Sequence, residues 1–340
     1  MFGGGGTMEL DLFFGPGGVG KTTLSACHAL RASEAGERVL IISVDPARRL
    51  AQCLGKEPIG LEPVEVPGAP GLFAALSLPV EGMDLLIRRG ARSGERLRRL
   101  REHRLFQLGQ ELMPGADELS AVALLGRVID ESERWDRVVL DTPPAQNARQ
   151  FLRMPDRLSR IANPKLRRLV MGRGATQTIV WRLCSRMFGD GLTDELRAMI
   201  NSLEGSLDAI GETAGRVRDG LRSTSARAFV VSSAETAPLR RAAALESQLR
   251  SAGLTTTAFV ANRVENFPRD AGKNPPEAVA EYAQLCRERA EQHQREVEAI
   301  LAPVGLPILG YPRLALPPIG VDALRELSGR MDVLLSSSSH

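Results

Sequence analysis

Lysine is scarce in this chain. Only Lys21, Lys56, Lys165 and Lys273 occur among 44 lysines and arginines. The bias reads as host-genome composition, and it makes a lysine lodged in a glycine-rich turn less incidental. Cysteine is sparse too: Cys27, Cys53, Cys184 and Cys286 are scattered, with no C-x-x-C pair. A zinc site built on that pattern is therefore unsupported, and reduced, structural thiols are expected. Net charge is only +3, so no whole-protein field draws nucleic acid. No apolar run reaches membrane-spanning length and no signal-peptide pattern opens the sequence, so cytoplasm is the expected location. No internal repeat is visible. With 340 residues the chain can hold one large α/β domain or two smaller ones.

One stretch organises the rest. An apolar run, Leu10 to Phe14, predicts a buried strand, and Leu24 to Leu30 predicts a helix. Between them Gly15-Pro16-Gly17-Gly18-Val19-Gly20-Lys21-Thr22-Thr23 fits the phosphate-binding spacing G-x-x-x-x-G-K-[ST]. Glycines let successive backbone N–H groups face phosphate oxygens without a Cβ in the way. The helix that starts near Lys21 adds unpaired N–H groups and a positive dipole end. In such a loop Lys21 reaches the β- and γ-phosphates and the Thr22 hydroxyl sits on Mg²⁺. Gly3 to Gly6 belong to a disordered leader, residues 1–8.

A second strand, Arg38 to Val44, ends at Asp45-Pro46-Ala47, an acid facing the ligand crevice of a doubly wound sheet. Glu57 to Gly71 reads as loop and Leu72 to Leu78 as strand. Met83 to Arg104 reads as an arginine-rich helix. A solvated face is its plain interpretation; an acidic membrane surface, a partner or a nucleic acid are the alternatives. Phe106 is the only nearby aromatic, which weakens the nucleic-acid option. A helix is expected from Pro114-Gly115-Ala116-Asp117-Glu118 to about Glu133. A strand then runs from Trp135 to Asp141, an apolar run ending in the acid that orients Mg²⁺ (Walker B). Residues 145 to 225 read as helical, with breaks at Pro155, Pro164, Gly172–Gly174 and Gly189–Gly191. This stretch is rich in apolar residues and methionine. That suits plain helix packing, or a groove for an apolar helix. Strands at 226–232, 255–261 and 307–310 and helices at 238–252, 277–301 and 321–335 complete an alternating pattern, with Tyr311 to Gly320 a proline-rich loop. The fold class is α/β, a doubly wound, mostly parallel sheet with a helical insertion. Residues 9–335 are read as one domain, 150–225 as its helical subdomain, and 336–340 as a disordered tail.

In this order the segments resemble the ArsA family of P-loop ATPases. That family covers the ATPase of arsenite efflux pumps and the targeting factor for tail-anchored membrane proteins, and is related to the dimerising ATPases MinD and ParA. The anchors are Gly15 to Thr23, Ser43-Val44-Asp45-Pro46-Ala47, Pro114 to Glu118, Asp141-Thr142-Pro143-Pro144 with Arg149 to Pro155, Val260-Ala261-Asn262-Arg263, and Tyr311-Pro312 onward. The resemblance implies ATP or ADP with Mg²⁺, held by Gly15, Gly17, Gly18, Val19, Gly20, Lys21, Thr22 and Thr23. Asn262, Arg263, Pro312 and Arg313, with Leu314, would hold adenine. Thr22, Asp45 and Asp141 would serve the metal, Lys21 and Asp45 catalysis, with Asp45 polarising the attacking water. It also implies a homodimer, or a heterodimer with a related ATPase, closing on two nucleotides. An apolar helical protein cargo or a membrane-associated partner follows, and no nucleic acid.

Three departures qualify this. The family loop reads Gly-Lys-Gly-Gly-Val-Gly-Lys, and its first lysine crosses the dimer; here that position is Pro16. Arg48 or Arg49, beside Asp45, is a substitute suggested by sequence proximity. The targeting factor's zinc-binding cysteine pair is missing, with Cys286 alone in that region. Arsenite pumps cluster cysteines near the switch segments and carry two halves; Cys53 and Cys184 have no evident partners and there is one half. The expectation is an ATPase switch, slow for want of the lysine, that captures apolar protein segments. The alternatives are a weakly or non-hydrolysing subunit paired with a catalytic homologue, an arsenite or antimonite pump ATPase, and a surface-positioning ATPase.

Overall fold

Apolar strands alternating with helices build one sheet of nine strands, in the order β3-β4-β2-β5-β1-β6-β7-β8-β9. A computed structural model of the chain describes residues 7–44, 49–55, 59–88, 115–163, 182, 185–186, 189–265, 276–314 and 316–335. The strands are β1 (Glu9–Phe14), β2 (Val39–Ser43), β3 (Val64–Glu65), β4 (Leu72–Leu76), β5 (Arg137–Asp141), β6 (Ala226–Ser233), β7 (Thr255–Val264), β8 (Ile308–Pro312) and β9 (Asp332–Leu335). The helices are α1 (Lys21–Glu34), α2 (Arg49–Leu54), α3 (Pro79–Arg88), α4 (Ala116–Asp130), α5 (Ala145–Ile161), α6 (Asp190–Leu221), α7 (Thr236–Ser251), α8 (Glu277–Leu301) and α9 (Val321–Gly329). Strands β4 to β8 of that order run parallel, and only the outermost, β3 and β9, are antiparallel. The central strands are apolar on both faces, with Leu12, Phe14, Leu40, Ile41, Ile42, Val139, Leu140, Val230 and Val231 buried, as a parallel sheet covered by helices requires.

The chain divides into two compact units. The first holds the sheet, from residues 1–76, 132–149 and 222–340; the second holds residues 77–131 and 150–221. In the second, α3, α4 and α6 pack together: Ser206 Oγ donates to the Ile87 carbonyl at 3.0 Å, and Ser77 Oγ donates to Ser120 Oγ at 2.8 Å.

Four elements depart from the sequence expectation. Helix α5 runs through Pro155 without a break. Ala148, Phe151, Met154 and Leu158 form a buried stripe at helical spacing, and that burial outweighs the lost hydrogen bond at the proline. Helix α3 begins at Pro79 rather than Met83, since proline suits the first helical position. The last helix ends at Gly329, and residues 332–335 form β9 instead, hydrogen-bonded to β8, whose outer edge would otherwise be open. The stretch 57–71 is not all loop, since Val64 and Glu65 pair with β4. The arginine-rich stretch beyond Arg88, the breaks at Pro164 and Gly172–Gly174, and the terminal segments 1–6 and 336–340 lie outside the described residues.

At the amino ends of the central strands sits a charge cluster. Asp11, fully buried in β1, lies 2.7 Å from His28 Nε2, accepts from Arg137 Nη1 at 2.7 Å, and accepts from Arg227 Nε at 2.8 Å. Glu37 and Glu9 complete the arginines' pairing. Burial by itself would raise the Asp11 pKa. The hydrogen bonds from His28, Arg227 and Arg137 and the His28 charge outweigh it and hold the carboxyl well below the ordinary carboxylate range. A carboxyl with a depressed folded pKa stabilises fully above its unfolded pKa of about 4, and that contribution is lost as pH falls further. Asp11→Asn should therefore lower stability at pH 7 by about 3 kcal/mol, because it strands buried arginine charge. In urea titrations the gap from wild type should begin to narrow below about pH 4 and keep narrowing as pH falls toward the depressed folded pKa. An equal gap at pH 7 and pH 3 would refute this account.

Candidate functional site

The register brings three chain segments to one point. Ser43 at the end of β2 and Phe13 near the end of β1 both pair with Asp141, the last residue of β5. Thr22 Oγ1, in the first turn of α1, donates to Asp141 Oδ2 at 2.7 Å, and Ser43 Oγ donates to the same oxygen at 2.9 Å. Lys21 Nζ lies 3.4 Å from Asp141 Oδ1. Asp141 is fully buried and Lys21 is 8% exposed, so the ion pair is nearly dry. Asp141 Oδ1 makes no hydrogen bond. A buried carboxylate oxygen with spare acceptor capacity, beside a threonine hydroxyl, is a donor set that could hold a hydrated Mg²⁺.

The loop between β1 and α1 approaches its neighbours too closely for side chains. A Cβ on Gly15 would lie 2.4 Å from the Val231 carbonyl oxygen of β6. Gly20 has φ +89°, and a Cβ there would lie 2.2 Å from Asn262 Nδ2. No side chain caps α1, so its first-turn N–H groups are open to an anion. The Gly15 carbonyl accepts from the Ala145 N–H at 2.9 Å, which ties the loop to the start of α5.

Beside this loop is a cavity of about 550 Å³. It is lined by Gly20 and Thr23 from the start of α1, by Asn262, Arg263, Pro312, Arg313 and Leu314 from the ends of β7 and β8, and by Leu316, Pro317, Pro318 and Leu327. Asn262 Nδ2 donates to the Val19 carbonyl at 2.7 Å, and its Oδ1 accepts from the Arg263 N–H at 2.9 Å. Arg263 is held at φ +56°, the one described non-glycine residue in the left-handed region. The β7–β8 pairing shifts register between Ala261 and Val264, so this bulge aims the Asn262 amide into the cavity wall. Arg313 pairs with Glu265 at 2.9 Å at the rim.

Residues 8–331 match the model of the anion-transporting ATPases, ArsA. The chain belongs to the ArsA family of anion-transporting ATPases. Among its relatives, ATPase GET3 of Malassezia globosa is 28% identical over 289 residues, 85% of this chain and 80% of that protein. ATPase GET3 of Mycosarcoma maydis is 27% identical over 317 residues, 92% of this chain and 87% of that protein. ATPase ARSA2 of Chlamydomonas reinhardtii is 30% identical over 222 residues, 64% and 58% respectively.

Of the site residues expected from the sequence, Gly20, Thr23, Asn262, Arg263, Pro312 and Arg313 line this cavity, while Lys21 and Thr22 meet at Asp141. Asp45 and Arg48 lie outside the described residues, and Arg49 opens α2 with its side chain exposed. Pro16 is buried and brings no charge. Ser43 stood in the Ser43–Ala47 anchor and Leu316, Pro317 and Pro318 in the loop from Tyr311, but neither these nor Leu327 was assigned a site role from the sequence. The placement of Ser43 just ahead of Val44-Asp45 and the proline run 312–318 were the available signals. Within the stretch 150–225 expected to hold a groove, residues 164–181, 183, 184, 187 and 188 lie outside the described residues. Among the described residues no helix is long and apolar enough to cross a membrane, and no cluster of three or more His, Cys, Asp or Glu residues could hold a metal.

Gly20→Ala should force Asn262 off Val19 and strain the left-handed position. A loss of about 2 kcal/mol in chemical denaturation is expected. A variant as stable as wild type would mean that the loop and β7 do not meet this closely.

Proposed function

We propose that the crevice binds ATP with Mg²⁺ and hydrolyses it, and that the bound nucleotide operates a two-subunit switch. The observation that carries this reading is the buried Lys21–Asp141–Thr22 cluster under an uncapped helix start. Lys21, released from its 3.4 Å pairing, is placed to meet phosphate oxygens, and the open amides of the loop take the rest of the anion's charge. Mg²⁺, held by the Thr22 hydroxyl and through water by Asp141, would supply neutralising charge between the terminal phosphates. Asp45 is assigned to orient the attacking water. The Asn262 amide spends one N–H on Val19 and one lone pair on Arg263. One donor and one acceptor remain, a match for adenine's N7 acceptor and N6 donor. Guanine presents acceptors at both positions, so ATP is favoured over GTP.

Residues 9–335 then act as one nucleotide-operated domain, with the helical stretch at about 150–225 as the part that holds an apolar helical segment of a client protein. The relatives named ATPase GET3 support the ATPase part of this reading.

Calorimetry with Mg·ATP tests the core of it. Wild type should show saturable heat, and Lys21→Ala should show none. Asn262→Ala should weaken ATP about tenfold while leaving GTP unchanged, the size of one lost hydrogen bond. Equal losses for both nucleotides would remove Asn262 as the base reader.

Pro16 favours a second reading, a subunit that binds nucleotide but hydrolyses it poorly without a lysine-bearing homologue. A missing transition-state cation costs about 10³–10⁵ in rate. Turnover of the purified chain alone separates the two: a robust rate excludes the need for a catalytic partner. A slow rate that rises when an ArsA-type homologue is added favours the paired subunit.

A further inference from the structure

The pairing of β7 with β8 is interrupted beside the base-side cavity. Ala261 pairs with Gly310 and Val264 with Pro312, so three steps along β7 match two along β8. The extra residue belongs to the bulge that carries Asn262 and the left-handed Arg263. Beyond the bulge the two strands are joined again at Arg313. Its N–H donates to the Val264 carbonyl at 2.9 Å, and its Nη1 donates to Glu265 Oε1 at 2.9 Å. Glu265 is the first residue after β7, and Arg313 is the first after β8. The ion pair therefore adds a side-chain tie to the main-chain bond at the far side of the bulge.

Arg313 is also where the proline-rich segment starts. Leu314, Leu316, Pro317 and Pro318 of that segment line the cavity, as Arg313 does. Among the described residues, Leu314 and 316–319 make no hydrogen bond, and Pro317 and Pro318 have no N–H to give. Leu316 is 78% exposed and Ile319 is 70% exposed, so burial adds little hold. What fixes the segment is its two ends: the Gly320 N–H on the Cys53 carbonyl at 2.9 Å, and the two bonds of Arg313. The Glu265–Arg313 pair is the side-chain contact in that set. Its carboxylate is 17% exposed and its guanidinium 46% exposed, so water weakens it and it can open without stranding a buried charge.

We infer that Glu265 and Arg313 form a latch at the rim of the cavity, with Glu265 a positioning residue that sets how long the nucleotide stays. While the pair is made, the proline-rich wall is held against the end of β7, and the bulge bearing Asn262 is tied on both sides. When the pair opens, only the main-chain bond to Val264 remains at that end, and the nucleotide leaves faster. The Arg313 guanidinium faces Glu265 rather than the ligand, so it acts through the segment that it holds. This rests on the assignment of the cavity to a nucleotide. Its added content is that a carboxylate outside the cavity lining sets the residence time.

The test follows release of a fluorescent ADP analogue from the full chain by stopped flow, chased with excess unlabelled ADP. Glu265→Gln and Arg313→Gln should each speed release about fivefold, the upper range for a partly exposed ion pair. The double variant should be no faster than either single one, because both remove the same contact. Arg313→Lys, which keeps a cation opposite Glu265, should return most of the way to the wild-type rate. Thermal melts confirm that each variant is folded at the assay temperature. If Arg313 held the nucleotide directly, Glu265→Gln would free its guanidinium and slow release while Arg313→Gln sped it. Such opposite signs overturn the latch. So do additive effects in the double variant, folded single variants that release at the wild-type rate, or a lysine variant no better than glutamine. If wild type binds no labelled ADP, the nucleotide assignment fails first and the inference falls with it; tight binding with unaltered release in the variants removes the latch alone.

Discussion

A fully buried carboxylate holds the carboxyl end of the central strands together. Asp141 ends the strand beside β1 and β2, and two hydroxyls and one ammonium group converge on it. A charge with no access to water is tolerated only when paired and hydrogen-bonded. That requirement pins the first turn of α1 to the end of β5 and the end of β2 to both. It leaves Asp141 Oδ1 short of a hydrogen bond and Lys21 at ion-pair rather than hydrogen-bond distance. Such a site is stable enough to fold and still has unmet electrostatic demand, which suits a polyanion with its cation.

The same sheet carries a second buried acid at its other end, and the contrast is instructive. Asp11 is saturated: His28, Arg137 and Arg227 all reach it, and Glu9 and Glu37 balance the arginines. The two clusters lie at opposite ends of adjacent strands, so β1 is clamped at its base while its outgoing loop stays open to a ligand. Close packing reinforces this, with Phe13 and Phe229 stacked at 5.0 Å and the His28 ring tilted against both at 5.3 and 5.1 Å.

Around the crevice, backbone rather than side chains sets the tolerances. Gly15 against Val231, Gly20 against Asn262, and Gly55 against Gly320 are all contacts that a side chain would disturb or strain. They tie the phosphate loop, β6, β7, α2 and the proline-rich segment into one rim. The left-handed Arg263 belongs to the same rim. Its strained backbone turns the Asn262 amide so that both its polar atoms are engaged and still directed at the cavity.

Much of this was legible in the residues alone. The glycine spacing around Lys21, the apolar strands ending in acids, and the order of motifs up to Asn262 and Pro312 gave the fold class and most of the crevice. Local chemistry suffices there, because a phosphate loop and a buried parallel strand each demand particular residue types at fixed spacing. What the sequence could not determine depends on distant partners. Pro155 breaks a helix by its own propensity but not when a buried stripe holds both sides. Residues 332–335 continue a helix until an open edge of β8 claims them. Ser43 and Gly320 look like ordinary residues until folding brings one to Asp141 and the other to the Cys53 carbonyl. The chain by itself determined which groups could bind a nucleotide; only the tertiary structure decided which of them meet, because contacts between residues 20 and 262 or 53 and 320 arise from sheet order, and no local pattern encodes that order.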